Sequence, residues 1–161
     1  LMQLSGMIKA EYDALPASEQ PTHLFIDSSG LGSGVLDRCL EWGMPSVGVN
    51  VSESPSMGSQ YLNLRAELWF KMKSWFEARD CTLPRDEDLL AELVGPRYAF
   101  TPSGKIKIES KSDIKNRGMK SPDRADALML SLAQDAAIGI HGSMASNKWN
   151  QPLRRNLQGV A

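Results

Sequence analysis

The stretch that most constrains this chain is residues 23–51. His23-Leu24-Phe25-Ile26 is a short apolar run that ends at Asp27. A Gly/Ser turn follows from Ser28 to Gly34, then an amphipathic stretch from Val35 to Trp42, then a second apolar run from Ser46 to Val51. Short apolar runs of this kind fit strands buried on both faces. Two such strands with a helix between them form a βαβ unit, because parallel neighbours need a crossover connection. Gly43 stops the helix where a left-handed C-terminal cap is expected.

The rest of the chain surrounds that unit with helices and one hairpin. Leu4, Met7, Ile8 and Leu15 recur at roughly helical spacing, so residues 2–14 read as a helix that Pro16 to Pro21 breaks. A polar loop spans Ser52 to Gln60. Residues 63–79 are the strongest helix, with Leu64, Leu68, Met72, Trp75 and Phe76 as a core stripe. Asp86 to Leu93 reads as a short helix. Tyr98–Thr101 and Lys105–Glu109 flank Pro102-Ser103-Gly104 and read as a hairpin. Ser121 as N-cap and Pro122 at the first helical position open the last helix. Ala125, Leu128, Met129, Leu132, Ala133 and Ala136 form its apolar face. Beyond Gly139 the pattern ends, which divides the chain into a domain over 1–140 and an expected mobile tail over 141–161.

Length and composition narrow the class. One domain of 161 residues with 42% hydrophobic and 23% charged residues can bury a core, and is neither fibrous nor wholly disordered. No apolar run is long enough for a membrane helix, and the start, which opens at Leu1, does not resemble a signal peptide. Two cysteines, Cys39 and Cys81, are too few for a disulfide scaffold, so a reducing compartment is expected.

Charge is unevenly spread. Between Lys105 and Arg124 there are seven basic residues (Lys105, Lys107, Lys111, Lys115, Arg117, Lys120 and Arg124) and three acids, a local charge of +4. The remainder holds 11 basic and 16 acidic residues, a charge of −5. A basic block in a weakly acidic chain is either a polyanion footprint or a solvated hairpin.

Three acids are candidates for chemistry. Asp27 lies at the C-terminal end of an expected buried strand, where ligands sit in open α/β sheets, and a carboxylate there can hold a hard cation such as Mg²⁺. Its plainer role is to cap the turn. Asp123 and Asp126 are i,i+3 neighbours on the last helix. The helix dipole alone accounts for an acid at Asp123, whereas Asp126, between Ala125 and Ala127 at the edge of the apolar face, is less expected of a surface acid. Strand-end and helix acids converging on two metal ions suit phosphodiester hydrolysis, with the basic block holding the phosphate backbone. Other chemistries fail on spacing. No Lys follows Gly30-Leu31-Gly32-Ser33-Gly34, so it is not a P-loop. The dinucleotide fingerprint's third glycine falls on Val35. Two histidines and two scattered cysteines give no zinc site and no triad.

Three ordered segments carry a family resemblance. They are Phe25-Ile-Asp-Ser-Ser-Gly-Leu-Gly-Ser-Gly-Val-Leu-Asp37; Tyr61-Leu-Asn-Leu-Arg-Ala-Glu-Leu-Trp69; and Ser103-Gly-Lys-Ile-Lys-Ile-Glu-Ser-Lys111 through Asp113-Ile-Lys115 to Ser121-Pro-Asp-Arg-Ala-Asp-Ala-Leu128. Together, over roughly residues 1–135, they resemble the C-terminal nuclease domain of the large terminase subunit of tailed bacteriophages. The resemblance implies a partial RNase H-like α/β fold: a parallel βαβ core, a hairpin and flanking helices, without the first three antiparallel strands.

It also implies a metal-dependent endonuclease, using Mg²⁺ or Mn²⁺, that cuts concatemeric phage DNA during genome packaging in the cytoplasm of the bacterial host. Double-stranded DNA, the terminase ATPase domain, the small terminase subunit and the portal are the implied partners. By motif position Asp27 matches the family's second metal-binding acid and Asp123 its third, with Asp126 assisting. Lys105, Lys107 and Lys111 fall on a hairpin near DNA, and Lys115, Arg117 and Lys120 extend that basic surface.

The family's first metal-binding acid lies on a strand that precedes the opening helix, and no Asp before Asp27 sits on an expected strand. The chain therefore reads as the C-terminal piece of a longer protein or a decayed prophage copy. A sheet lacking three strands exposes an edge, which predicts self-association or pairing with the missing portion. The alternative to an active nuclease is a non-catalytic remnant that binds DNA or a packaging partner, with Trp149, Arg154 and Arg155 of the tail as a docking segment.

Overall fold

The computed structural model describes residues 1–79 and 81–133. The elements run α1 (Met2–Ala14), β1 (Leu24–Asp27), α2 (Gly32–Glu41), β2 (Ser46–Val49), α3 (Leu64–Glu77), α4 (Glu87–Val94), β3 (Tyr98–Phe100), β4 (Ile106–Ile108), α5 (Lys111–Asn116) and α6 (Asp123–Leu130). β1 and β2 are parallel, in register Leu24↔Ser46 to Asp27↔Val49, with α2 as the crossover, so the expected βαβ unit forms. β2 ends at Val49, two residues short of the apolar run, because Val51 turns to accept from the Arg65 N–H with its carbonyl. α2 starts at Gly32 rather than Val35, so the last glycines of the turn are already helical. Among the described residues β1 and β2 pair only with each other.

Two apolar clusters hold this unit. On one side Ile8 and Tyr12 of α1 pack on Val35, Cys39 and Met44, with Leu24 and Ile26 of β1 against them. Cys39 is fully buried, as its place on the apolar stripe predicts. The main core lies between α3, α4 and α6 and includes Val49, Leu64, Leu68, Trp69, Met72, Leu89, Ala125 and Met129. Trp69 is inside this core, while Trp75 and Phe76 of the expected stripe are only half-buried.

Side-chain N-caps open three of the six helices among the described residues. Asn63 accepts from the Ala66 N–H, Asp86 from the Leu89 N–H, and Ser110 from the Asp113 N–H. The last of these opens α5, a six-residue helix inside the basic block, where the sequence reading placed no element. α6 corrects the reading of its own start. Pro122, not Ser121, is the N-cap, and its side chain offers no oxygen. Glu92 of α4 does the capping instead, accepting from the Arg124 N–H at 2.7 Å and the Ala125 N–H at 3.1 Å. The hairpin forms as expected, with β3 antiparallel to β4 and Gly104 at φ +79° in its turn. Ala136, the expected tail 141–161 and its Trp149, Arg154 and Arg155 lie outside the described residues. No helix among the described residues is long and apolar enough to cross a membrane.

Candidate active site

The C-terminal end of β1 opens into a cleft of about 290 Å³ whose lining includes Asp27, Asn63, Arg65, Ser110, Lys111 and Asp126. Four separate segments supply those side chains, and the cleft exists because α6 packs against both β1 and α3. The turn after β1 is held tightly against the strand. Gly30 has φ +56°, and a Cβ on Gly32 would lie 1.7 Å from the Asp27 carbonyl oxygen, so only glycine fits there. Asp27 does serve the turn: its Oδ1 accepts from the Ser29 N–H at 2.9 Å. It also lines the cleft, so the capping role and the cleft role coexist.

Asp126 is the buried acid of the site, 9% exposed. Its Oδ1 accepts from Arg65 Nη2 at 3.2 Å and from Trp69 Nε1 at 3.0 Å, and its Oδ2 faces Lys111 Nζ at 3.0 Å. Burial of this carboxylate is compensated by two cations and an indole donor, as a desolvated charge requires. Asp123 is placed differently. Its side chain is 73% exposed and does not line the cleft. The Ser121 hydroxyl donates to it at 2.7 Å and Lys111 reaches it at 3.2 Å, and together they hold its carboxyl below the usual carboxylate range. Lys111 thus bridges both acids. Burial pulls its ammonium down, but Asp126 and then Asp123 push it up by more, so its net shift is upward and it stays charged.

The six basic residues singled out as DNA-facing therefore divide. Lys107, Lys115 and Lys120 are exposed on β4, α5 and the loop after it, and Lys105 is half-buried at the hairpin turn. Lys111 belongs to the cleft. Arg117 is committed to Glu109, with its Nε at 2.6 Å and its Nη2 at 2.7 Å, and to the Gly95 carbonyl at 2.9 Å. It fixes the base of the hairpin instead of pointing a free charge outward.

The cleft's side-chain oxygens, on Asp27, Asp126, Asn63 and Ser110, are hard donors that suit Mg²⁺ or Mn²⁺, and no His or Cys lines it. The fit is right in kind and short in number. Among the described residues no three acidic, histidine or cysteine side chains converge closely enough to hold an ion by themselves.

No protein-family model and no curated protein sequence matches this chain. Solved structures do. The nuclease domain of the large terminase subunit gp2 of bacterial virus Sf6 superposes over 70% of this chain at 23% identity and TM-score 0.59. A structure of a mutant of that domain with manganese gives the same values. The large terminase nuclease of thermophilic phage G20c, with bound magnesium, covers 80% of this chain at 21% identity and TM-score 0.51. This chain has the fold of the terminase nuclease domains. It is the RNase H-like α/β arrangement that the three sequence segments imply. The chain spans about 65% of the length of the Sf6 domain and 61% of the G20c domain.

The sequence reading assigned no role to Asn63 and Ser110 of the cleft wall, nor to Arg65 and Trp69, which hold Asp126. The latter two lie in the segment Tyr61–Trp69 that carries the resemblance, one helical turn apart. A buried Trp with its N–H facing a carboxylate is a recurring polar use of that side chain. Nothing local in the sequence says which acid it meets.

Proposed function

We propose that this chain is part of a metal-dependent DNA endonuclease that cuts concatemeric phage DNA during genome packaging. The observation that carries this reading is the shared cleft of Asp27 and Asp126, brought together from β1 and α6 on a terminase nuclease fold. Asp27 and Asp126 would hold Mg²⁺ or Mn²⁺ from inside the cleft, and Asp123 would assist from its rim. Such ions supply activated water and neutralise charge on the leaving oxygen. The chain's own part is to orient and to exclude. Asn63 and Ser110 offer polar contacts at the cleft wall, and Lys105, Lys107, Lys115 and Lys120 would track the phosphate backbone of double-stranded DNA. In the whole protein the partners would be the terminase ATPase domain, the small terminase subunit and the portal, in the cytoplasm of the infected bacterium.

A second reading has one observation in its favour: two carboxylates, one already neutralised by Arg65 and Lys111, are few for a metal pair. On that reading the chain binds DNA or a packaging partner and cuts nothing. Supercoiled plasmid incubated with the purified chain in Mn²⁺ and in EDTA, beside Asp27→Asn, separates the two. The endonuclease reading expects metal-dependent nicking that Asp27→Asn abolishes while DNA binding persists. DNA binding that is indifferent to EDTA, with no nicking, leaves the binding module.

A further inference from the structure

The site contains two α6 acids one turn apart, held differently: Asp126 is buried among three donors, whereas Asp123 is mostly exposed. Asp126 Oδ1 takes two donors, Arg65 Nη2 and Trp69 Nε1, which use the lone pairs a carboxylate oxygen has to offer. Arg65 is itself fixed: its Nη1 donates to the Glu109 carbonyl at 2.9 Å and its guanidinium lies 5.9 Å from the centre of the Trp69 ring. The side chains of Arg65 and Asp126 are each only 13% exposed. One arginine therefore joins α3, the exit of the hairpin and α6, and the oxygen left over, Oδ2, is the one turned to Lys111 in the cleft. Among the described residues Asp123 takes only the Ser121 hydroxyl and Lys111 as hydrogen-bond donors at its carboxylate, and it stands mostly in solvent.

Resting on the metal-nuclease reading, we propose that Arg65 and Trp69 are positioning residues that lock Asp126 in one rotamer with Oδ2 facing the cleft, where a divalent cation would displace the Lys111 ammonium paired with it at 3.0 Å, making Asp126 rather than Asp123 the inner ligand from α6. A partner that orients a ligand acts on metal affinity without touching the metal, and its loss typically weakens binding by about 10- to 100-fold. The arrangement also makes Trp69 a reporter. Its indole N–H is bonded to the carboxylate whose other oxygen the cation would take, so occupancy alters the polarity at the ring.

The test uses a chain in which Trp42, Trp75 and Trp149 are replaced by Phe, leaving Trp69 as the single emitter. Mg²⁺ titration is expected to change Trp69 emission with the midpoint found by calorimetry. Asp126→Asn should remove the change and Asp123→Asn should keep it. With native tryptophans, Trp69→Phe deletes one donor and preserves most of the ring, and Arg65→Lys keeps the charge but cannot span both acceptors. Each is expected to weaken Mn²⁺ binding about 10-fold or more, with DNA binding in EDTA unchanged. Parental Mn²⁺ affinity in both variants, or an emission change that survives Asp126→Asn, overturns this inference and leaves the nuclease reading standing. Absence of divalent binding in the unaltered chain overturns the nuclease reading and the inference with it.

Discussion

Gly32 is the position where one added methyl group tests how the site is built. It opens α2 directly against the end of β1, and a Cβ there would sit 1.7 Å from the Asp27 carbonyl oxygen and 3.0 Å from its carbonyl carbon. Non-bonded heavy atoms rest at roughly 3.5 Å, so Gly32→Ala forces helix and strand apart by well over an ångström. No rotamer relieves the clash, because both partners are backbone-fixed. Overpacking of this kind costs about 3 kcal/mol, and replacing a helical glycine by alanine returns about 0.5–1 kcal/mol. The net loss of about 2–2.5 kcal/mol corresponds to a Tm lower by roughly 4–10 °C in a domain of this size. Gly34→Ala, two residues along the same helix, is the control. Its Cβ would meet only the Leu1 Cδ1 methyl at 3.4 Å, so the helix-propensity gain should dominate and Tm should hold or rise. Thermal melts followed by far-UV circular dichroism compare the two. If Gly32→Ala melts with or above Gly34→Ala, the close approach of α2 to Asp27 is not a feature of the folded protein, and the cleft geometry that depends on it fails as well.

Two further outcomes follow from the caps and ion pairs around the site. Glu92→Ala removes the carboxylate that accepts from the first N–H groups of α6, where Pro122 has no capping oxygen, and should destabilise the chain by about 1–2 kcal/mol in urea titration. The Leu89 N–H and then Arg124 hold the Asp86 carboxyl below its ordinary range, and Arg117, with the Arg97 N–H behind it, does the same for Glu109. Depressed folded-state values mean stabilisation present above the unfolded-state pKa near about 4 and lost as pH falls through the folded values. Melts of Asp86→Asn and Glu109→Gln should therefore lie below the parent at pH 7 and converge on it toward pH 3. A gap that stays constant over that range would show that the two carboxylates do not act through their charge.

Much of the architecture was readable in one dimension because its signals are local. Apolar runs of strand length around a Gly/Ser turn specify the βαβ unit, and Gly104 between two β-type runs specifies the hairpin. Asn63 and Asp86 carry their capping oxygen at the helix start itself. Asp27 could be singled out because a strand end beside a glycine turn is a local pattern. Three features depend on contacts across the chain and left no such mark. The cap of α6 comes from Glu92, 32 residues away from the N–H it holds. Of the six lysines and arginines read as one surface, Lys111 turns into the cleft and Arg117 is spent on Glu109. Of the two acids on α6, periodicity places Asp126 at the edge of the apolar face, but its burial against Arg65 and Trp69 is set by how α3 crosses α6, with the partners 61 and 57 positions apart in sequence. Spacing along a chain fixes which side chains share a face of one element. Which charge a buried carboxylate meets is decided only when two faces pack, because the low-dielectric contact between them is what makes an unpaired charge intolerable and a paired one stable.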